Sequence, residues 1–228
     1  MWVTDRHGRT IADLAQRVRT AAGTDSGRRY VLGLAGPPGA GKSTVAAELC
    51  AALNRTGGDL AGVAPMDGFH RTNLELSTAG ELGTKGAPGS FDPRAFTTKL
   101  RELRAAPIGA EVGWPVYDRG IHDPVPDGVV FRAHRIVVVE GNYLLLDEPG
   151  WREVRSLLDE CWYLDAHAEL IERRLYARHL AGGKPPAVAR AKVTGTDLPN
   201  AVLVAGTREH ADLVLTPRGD RFLVRAVH

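Results

Sequence analysis

Residues 36–43 read GPPGAGKS, which matches the pattern G-x-x-x-x-G-K-[ST] at every fixed position. The segment follows an apolar run at 30–35 (YVLGLA) and precedes residues 45–53, where apolar side chains recur at helical spacing. A strand, a glycine-rich turn and a helix in this order form the phosphate-binding P-loop. The alternative is a glycine-rich turn with an exposed lysine, but it does not explain why the segment lies between a predicted strand and a predicted helix.

Each residue type in the P-loop has a chemical role. Glycines let backbone N–H groups turn towards phosphate oxygens, and the amino end of the following helix adds partial positive charge. We predict that Lys42 reaches the β- and γ-phosphates of a nucleoside triphosphate and that the Ser43 hydroxyl holds Mg²⁺. The predicted nucleotide-binding residues of the loop are Gly36, Gly39, Ala40, Gly41, Lys42, Ser43 and Thr44.

The rest of the chain alternates short apolar runs with helical periodicity, which is typical of βα units. We therefore predict an α/β fold of the P-loop NTPase type, with helices flanking a mainly parallel sheet and with lid and substrate-loop insertions. A length of 228 residues fits one domain, 1–228. Substrate-side loops are predicted at 72–127 and a lid region at about 166–195.

Local patterns predict the individual elements. Asp92 followed by Pro93 is typical of an N-cap and the first position of a helix. Apolar spacing predicts helices at 11–18, 151–158 and 166–180, and the proline-rich stretch at 107–127 is predicted to be irregular. Strands are predicted at 30–35, 61–66, 135–139, 161–165, 212–215 and 221–227.

Charge and hydropathy argue against several classes of partner. The formal net charge is only +2 and no Lys/Arg tract is present, so we expect no nucleic-acid partner. No apolar stretch approaches the roughly 18 residues that cross a bilayer, and the opening MWVTDR is not a secretory signal. We expect no membrane partner and a cytoplasmic protein. Cys50 and Cys161 lie in apolar segments and are expected to be buried thiols.

Two carboxylates end predicted strands, where the ligand crevice of an open α/β sheet lies. Asp67 could accept a proton from a substrate hydroxyl, or it could cap the turn before Gly68. Glu140 could order a metal ion and its water, or simply cap the end of its strand. The residues alone leave these alternatives open.

Basic and aromatic residues supply further candidates. Arg174 and Arg178 share one helix face, next to Arg173, and could stabilise charge on a transferring phosphoryl group. A solvated basic face is the alternative. Tyr117 and His122 could bind a ring or a polyol beside the crevice, or they could pack within a turn.

Taken together, these segments resemble the uridine kinase, phosphoribulokinase and bacterial pantothenate kinase superfamily of P-loop kinases, from about residue 30 to 215. The motifs are MDGFH (66–70), KGAPGSFD (85–92), PVYD (115–118) with His122, VEG (139–141), the arginine cluster and TREHAD (207–212). The last resembles a segment near the adenine pocket of pantothenate kinase. The nearest likeness is to the bacterial nucleoside/nucleotide kinase family, described as fructokinase-like, which shares HDPVP (122–126) and EGNYLLL (140–146).

This resemblance implies roles for the candidate residues. Asp67 is the expected base, and Lys42, Glu140, Arg174 and Arg178 complete the catalytic set. Ser43 and Glu140 are the expected metal-binding residues, and Arg173 is added to the nucleotide-binding residues. The residues expected to bind the acceptor are Asp67, His70, Lys85, Tyr117 and His122.

The expected function is transfer of the γ-phosphoryl group of ATP, with Mg²⁺, to an alcohol group of a small metabolite, a sugar or nucleoside first. A pantothenate-like kinase is the alternative among enzymes, and a nucleotide-dependent switch that hydrolyses slowly is the alternative from another class. The expected partner is a small-molecule phosphoryl acceptor, and a homodimer is left open.

Overall fold

The computed structural model describes residues 5–23, 27–55 and 58–227. Its strands in chain order are β1 (Asp5–Thr10), β2 (Tyr30–Ala35), β3 (Ala61–Pro65), β4 (Val112–Asp118), β5 (Asp123–Phe131), β6 (Ile136–Gly141), β7 (Glu160–Leu164), β8 (Leu213–Arg218) and β9 (Arg221–Ala226). The helices are α1 (Ile11–Ala22), α2 (Lys42–Asn54), α3 (Asn73–Thr78), α4 (Pro93–Ala105), α5 (Ala168–Ala181), α6 (Pro186–Lys192) and α7 (Leu198–Ala205).

Seven strands form one sheet in the order β1-β9-β8-β7-β2-β6-β3. The five strands from β8 to β3 are parallel, whereas at one edge β9 pairs antiparallel with both β8 and the outermost strand β1. This is the predicted mainly parallel α/β sheet, and the predicted terminal strand pair is present as β8 and β9. β1 was not predicted.

The register of the sheet aligns the segments that carry function. Parallel pairing places Leu34 of β2 and Pro65 of β3 on either side of Glu140 in β6. The carboxyl ends of three neighbouring strands therefore meet at one edge. The P-loop follows the first of them, Asp67 follows the second, and Glu140 ends the third.

Hydrophobic layers cover both faces of the sheet. On one face, α1 and α2 contribute Leu14, Val18 and Leu49 to the core. On the other, α4 packs through an aromatic cluster in which the Phe69 ring meets the rings of Phe96 and Trp114 at centroid distances of 5.0 and 5.1 Å. Burial of this apolar surface holds the 3-10 turn Met66–Phe69, and with it Asp67, against the sheet.

The predicted start of α4 is confirmed. The Asp92 carboxylate accepts a hydrogen bond of 2.9 Å from the N–H of Ala95, and Pro93 occupies the first helical position.

The prediction of an irregular stretch at 107–127 is wrong, because β4 and β5 form an antiparallel hairpin there. Its prolines are compatible with strands because a two-stranded ribbon leaves one edge of each strand without ladder bonds. Pro115 and Pro124 lie in the hairpin, and its register shifts between Trp114 and Val116.

The helix predicted at 151–158 is also wrong. The segment winds by i to i−3 bonds, from Val154 N to Trp151 O and from Leu157 N to Val154 O, each 2.9 Å, and ends in the 3-10 turn Arg155–Leu157. Trp151 and Val154 are buried, so their spacing reflects packing of a tight turn rather than an α-helix.

Two further regions contain helices that were not predicted. The loop at 72–89 includes α3, which begins with a capping box between Thr72 and Glu75. The lid region continues beyond α5 through α6, the π-helical turn Val193–Asp197 and α7. Among the described helices, none has the length and apolar character that a bilayer span requires.

Candidate active site

The P-loop turns sharply between β2 and α2. Gly36 has φ 149°, and a Cβ atom built there would lie 2.6 Å from the Leu164 carbonyl oxygen, so only glycine fits. Gly41 precedes α2 with φ 103°, and no side chain caps the helix at this position. The N–H groups at the amino end of α2 therefore remain available to an anion.

Lys42 is buried and folded back over the loop. Its Nζ donates hydrogen bonds to the Pro37 carbonyl oxygen at 3.0 Å and to Asn142 Oδ1 at 2.7 Å. Burial lowers the pKa of Lys42, and the nearby carboxylates of Glu140 and Asp67 oppose that shift. The ammonium group is thus held in place by neutral oxygens, which phosphate oxygens can replace.

Ser43 and Glu140 form the predicted metal-binding pair. Ser43 Oγ donates to Glu140 Oε1 at 3.1 Å, and burial raises the pKa of Glu140 while Lys42 opposes the rise. No group of three or more Asp, Glu, His or Cys that could hold a metal ion occurs within the described residues. A hydroxyl and a single carboxylate nevertheless fit Mg²⁺, which prefers oxygen ligands and completes its shell with phosphates and water.

Asp67 is half-buried in the 3-10 turn Met66–Phe69 that follows β3, and it lines one cavity together with Lys42, Ser43 and Glu140. Its backbone carbonyl accepts hydrogen bonds from the His70 N–H at 3.2 Å and lies 2.8 Å from His70 Nδ1. Its carboxylate forms no hydrogen bond with any residue in the described part of the chain. A carboxylate placed in this way can accept a hydrogen bond, and then a proton, from a bound hydroxyl.

The lid arginines differ in their surroundings. Arg174 Nη1 donates to the P-loop carbonyl oxygens of Gly39 and Ala40 at 3.1 and 3.0 Å. Arg178, one helical turn further on, lines the cavity near Lys42. Arg173 is exposed and lies outside the residues that line the cavity, so its predicted nucleotide contact stays a prediction.

The cavity has a volume of about 630 Å³, which suits small ligands. Besides the P-loop, Asp67 and Glu140, its lining includes His70, Phe91, Arg119 and Asn142, and the segment after α6 adds Asp197 and Asn200.

The other predicted acceptor-binding residues are engaged within the chain. Lys85 Nζ donates to Asn73 Oδ1 and to the His122 carbonyl oxygen, each at 2.6 Å, and the Tyr117 hydroxyl donates to the same carbonyl at 2.8 Å. None of Lys85, Tyr117 and His122 lines the cavity. His70 does line it, with its ring 3.8 Å from the Phe91 ring centroid. The direct acceptor contacts of the first three residues stay predictions.

The late segment at 207–212 also lies outside the cavity lining. Asp212 accepts two hydrogen bonds from Arg155, at 2.7 and 2.9 Å, and one from the N–H of Cys161 at 2.6 Å. His210 Nδ1 lies 3.2 Å from the Leu145 carbonyl oxygen. Through Asp212 the segment therefore binds both β7 and Arg155. Its predicted position near an adenine pocket stays a prediction.

Five polar residues of the cavity lining were not predicted: Glu48, Arg119, Asn142, Asp197 and Asn200. Asn142, which holds Lys42, follows the acidic motif directly, and that position was the available signal. Asn200 Nδ2 donates to the Gly86 carbonyl oxygen at 3.1 Å, and Asp197 Oδ2 lies 2.6 Å from the buried His179 Nε2. Arg119 belongs to the segment 117–122, in which the sequence analysis predicts acceptor contacts for Tyr117 and His122 only.

Comparisons with known proteins agree with this geometry. The model of the Phosphoribulokinase / Uridine kinase family matches residues 31–180, which include the P-loop, Asp67, Glu140 and the lid arginines. The YggC protein of Escherichia coli (strain K12) is 38% identical over 190 residues, which cover 82% of this chain and 78% of YggC. A pantothenate kinase of Streptomyces coelicolor is 37% identical over 66% of this chain and 48% of its own length.

A solved structure matches as well. The crystal structure of a candidate fructose transport system kinase from Silicibacter sp. TM1040 has a TM-score of 0.83 to this chain at 35% sequence identity. The match covers 92% of this chain and 100% of that one.

Proposed function

We propose that this chain, which belongs to the Phosphoribulokinase / Uridine kinase family, transfers the γ-phosphoryl group of ATP to a hydroxyl group of a small metabolite. The resemblance inferred from the sequence motifs is thus confirmed at the level of the family. Membership identifies an ATP-dependent P-loop kinase of small molecules, a phosphotransferase. The hydroxyl acceptor and its chemical class are our proposal.

The reaction is an in-line displacement. The acceptor oxygen forms a bond to the γ-phosphorus while the bond from that phosphorus to the β–γ bridging oxygen breaks, and ADP leaves. Asp67 accepts the hydroxyl proton. Lys42 and Arg178 neutralise the charge on the transferring group, and Arg174 holds the lid helix against the P-loop. Ser43 and Glu140 are the residues that would hold Mg²⁺, which supplies charge neutralisation at the phosphates.

The two ends of the cavity take the two substrates. With the phosphates in the P-loop, the nucleoside of ATP extends past Thr44 towards Pro217, Gly219 and Phe222, which line the cavity there. The acceptor takes the end near Asp67, where hydrogen-bonding side chains suit a polyol.

We favour a sugar or a nucleoside as acceptor. The polar lining formed by His70, Asn142 and Asn200 supports this choice, as does the fructose named for the structural neighbour. A pantothenate-like kinase is the second candidate, supported by the similarity to the Streptomyces coelicolor enzyme, of which this chain spans about half. A slow nucleotide switch gains no support, because it does not need the second end of the cavity that we assign to an acceptor. Neither a nucleic acid nor a membrane forms part of the proposal.

The observation that carries the proposal is the placement of the Asp67 carboxylate, without a hydrogen-bond partner among the described residues, in the cavity lined by Lys42, Ser43 and Glu140. The test is ATP consumption by the whole chain with a panel of sugars, nucleosides and pantothenate, with products read by mass spectrometry. We expect consumption to depend on an acceptor that gains one phosphoryl group. Slow hydrolysis that no acceptor changes would contradict the proposal and favour a switch.

A further inference from the structure

The tip of the β4–β5 hairpin is braced from several sides. The Asp118 carboxylate accepts from the N–H groups of Gly120 and Ile121 at 2.6 and 3.4 Å, which closes the turn. The His122 carbonyl oxygen accepts from Lys85, from Tyr117 and, at 3.1 Å, from Asn73 Nδ2. His122 has φ 56°, a left-handed conformation that these bonds hold in place.

A further bond fixes the end of the tip. Asp123 Oδ1 accepts from the Asn73 N–H at 2.7 Å and lies 3.4 Å from Lys85 Nζ. The residues from Tyr117 to Asp123 therefore form hydrogen bonds both with the segment 73–85 and among themselves. Such a network defines the position of a turn more closely than packing of exposed side chains does.

The hairpin rests on the turn that carries Asp67. Trp114 Nε1 donates to the Pro65 carbonyl oxygen at 3.0 Å, and the Tyr117 ring lies 4.9 Å from the His70 ring. A Cβ atom on Gly68 would lie 2.0 Å from the Pro115 carbonyl oxygen, so the two backbones are in close contact. The braced tip is thus held on the acceptor side of the cavity.

Arg119 projects from this tip and lines the cavity. Within the described residues, its guanidinium has neither a carboxylate nor a hydrogen-bond acceptor as partner. Its positive charge favours the ionised form of Glu140, which places it within electrostatic reach of the reaction centre. The backbone of Arg119 is thus fixed by the braced turn, whereas its guanidinium group has donors available to bind an anion.

The other cations of the cavity serve its phosphate end. Lys42 and Arg174 bind oxygens of the P-loop or beside it, and Arg178 lies near Lys42. Arg119 comes from the opposite element, two residues beyond the Tyr117 that contacts His70. It therefore brings a positive charge to the side of the cavity that the hairpin and the Asp67 turn form, within electrostatic reach of Glu140.

We propose that Arg119 binds an anionic group of the acceptor, so that the acceptor is a hydroxylated acid carrying a carboxylate or a phosphate. This inference rests on the proposed function and narrows its substrate class to sugar acids, sugar phosphates and comparable hydroxy acids. The acceptor hydroxyl faces Asp67 and the anionic group faces Arg119. Lys85, Tyr117 and the backbone of His122 act as positioning residues for Arg119.

The experiment compares acceptors that differ only in charge. Glycerol, D-glycerate and glycerol 3-phosphate form one series, D-ribose, D-ribonate and D-ribose 5-phosphate a second, and panthenol and pantothenate a third. Transfer is measured by mass spectrometry, and binding is measured by calorimetry with a non-hydrolysable ATP analogue. Wild-type protein is expected to bind and phosphorylate an anionic member about 10- to 100-fold better than its neutral counterpart. The carboxylate and phosphate arms identify which anion is used.

Arg119→Ala is expected to remove this preference, so that kcat/KM for the anionic and the neutral members of a series then differ by no more than about threefold. Arg119→Lys keeps the charge but not the planar fork, and should retain part of the preference. The matched control is Arg132→Ala, because Arg132 lies exposed at the other end of the hairpin, pairs with Glu111 at 2.7 Å and does not line the cavity. The control should keep the full preference.

The outcomes separate this inference from the proposed function. A wild-type preference for neutral acceptors that Arg119→Ala leaves unchanged overturns the inference, although the chain is still a kinase. Equal losses with neutral and anionic acceptors also overturn it, since Arg119 then acts on the transferring phosphoryl group. Arg119-dependent binding of the anionic probes without transfer to any of them overturns the inference that the bound anion belongs to the acceptor. Failure of the proposed function is a different result, in which no compound of the wider panel gains a phosphoryl group.

Discussion

The Ser43 hydroxyl lies 3.1 Å from a carboxylate oxygen of Glu140, although the two residues are 97 positions apart in the sequence. Their meeting follows from the sheet, because β2 and β6 pair in parallel with Leu34 beside Glu140. The P-loop continues from β2, so the first turn of α2 returns over the end of β6. Sheet register thereby builds the site on which the phosphates and Mg²⁺ are expected to meet.

Lys42→Ala should lower kcat by orders of magnitude without unfolding the protein, because Lys42 neutralises phosphate charge in the transition state. Acceptor phosphorylation and thermal unfolding are measured on the same preparation. Lys99→Ala is the matched control, since Lys99 lies on α4, pairs with Glu102 and does not line the cavity. Unchanged activity of a folded Lys42→Ala protein would contradict the P-loop assignment.

The three arginines of α5 should respond differently to replacement by alanine. Arg178→Ala is expected to lower kcat more than it weakens ATP binding, because Arg178 lines the cavity near Lys42 and we expect its charge to stabilise the transferring group. Arg174→Ala should also lower kcat, and through the loss of its bonds to Gly39 and Ala40 it should loosen the lid. Arg173→Ala tests the predicted nucleotide contact of Arg173, which is exposed and does not line the cavity. Weaker ATP binding would support that contact, and unchanged ATP binding would remove Arg173 from the nucleotide-binding residues.

The measurements are steady-state kinetics and ATP affinity by calorimetry. If Arg178→Ala changes only the KM for ATP, that residue is a ground-state ligand and the lid role is wrong. If both Arg174→Ala and Arg178→Ala leave kcat and ATP affinity unchanged, the alternative of a solvated basic face is favoured.

Much of the site could be predicted because it depends on local patterns and one topological rule. The P-loop is a continuous motif, and Asp67 and Glu140 end apolar runs whose carboxyl ends must meet if the sheet is parallel. Asn142 could have been found on the same basis. These predictions required no knowledge of side-chain packing.

The hairpin and the role of its residues could not be predicted in this way. Prolines at 115, 124 and 126 conceal the alternation of β4 and β5, and the bonds from Lys85 to the tip join segments far apart in the sequence. The family resemblance suggested ligand contacts for Tyr117 and His122, with packing within a turn as the alternative from the residues alone. In the structure, the Tyr117 hydroxyl donates a hydrogen bond to the His122 carbonyl oxygen. Asp197 lies in the turn Val193–Asp197 and Asn200 lies in α7, and neither element was predicted, so these two residues were missed as well.

Stability should depend on pH through His70. Burial lowers the pKa of His70 from its ordinary value of 6.5, so the unfolded chain takes up a proton at a higher pH than the folded chain does. Neutral His70 therefore makes its full contribution to the free energy of unfolding above pH 6.5. This contribution is lost as the pH falls from 6.5 through the lower pKa that His70 has in the folded protein.

His70→Gln should accordingly show a smaller fall in Tm between about pH 7.5 and about pH 5.5 than wild-type protein does. Part of the fall should remain, since burial also lowers the pKa of His134. His167→Gln is the control, because His167 is exposed. A fall of equal size in the His70 variant, measured by scanning calorimetry, would show that His70 is not responsible.

Lys85→Met should loosen the hairpin tip. The ammonium group bonds to Asn73 Oδ1 and to the His122 carbonyl oxygen, and methionine fills similar space without these bonds. We expect faster amide hydrogen exchange at 118–123, measured by mass spectrometry, with unchanged exchange in α2. Unchanged exchange at the tip together with a raised KM for every acceptor would instead support direct binding of the acceptor by Lys85.

Asp67→Asn separates a kinase from a switch most directly. An acceptor hydroxyl is protonated at neutral pH, and a carboxylate within hydrogen-bond reach both orients it and takes its proton. Asparagine keeps nearly the same shape and can still accept a hydrogen bond, but it is a very poor base. We expect ATP binding to be retained and kcat to fall by about two to four orders of magnitude.

Nucleotide affinity by calorimetry and acceptor phosphorylation by mass spectrometry test this prediction on one preparation. Asp92→Asn is a useful control, because Asp92 caps α4 away from the cavity lining and asparagine is also a good N-cap. Near-normal phosphorylation by Asp67→Asn would remove Asp67 as the base and leave Glu140 as the next candidate. Loss of ATP binding as well would point to a metal-binding or structural role for the Asp67 carboxylate, since its removal would then disturb the phosphate end of the cavity.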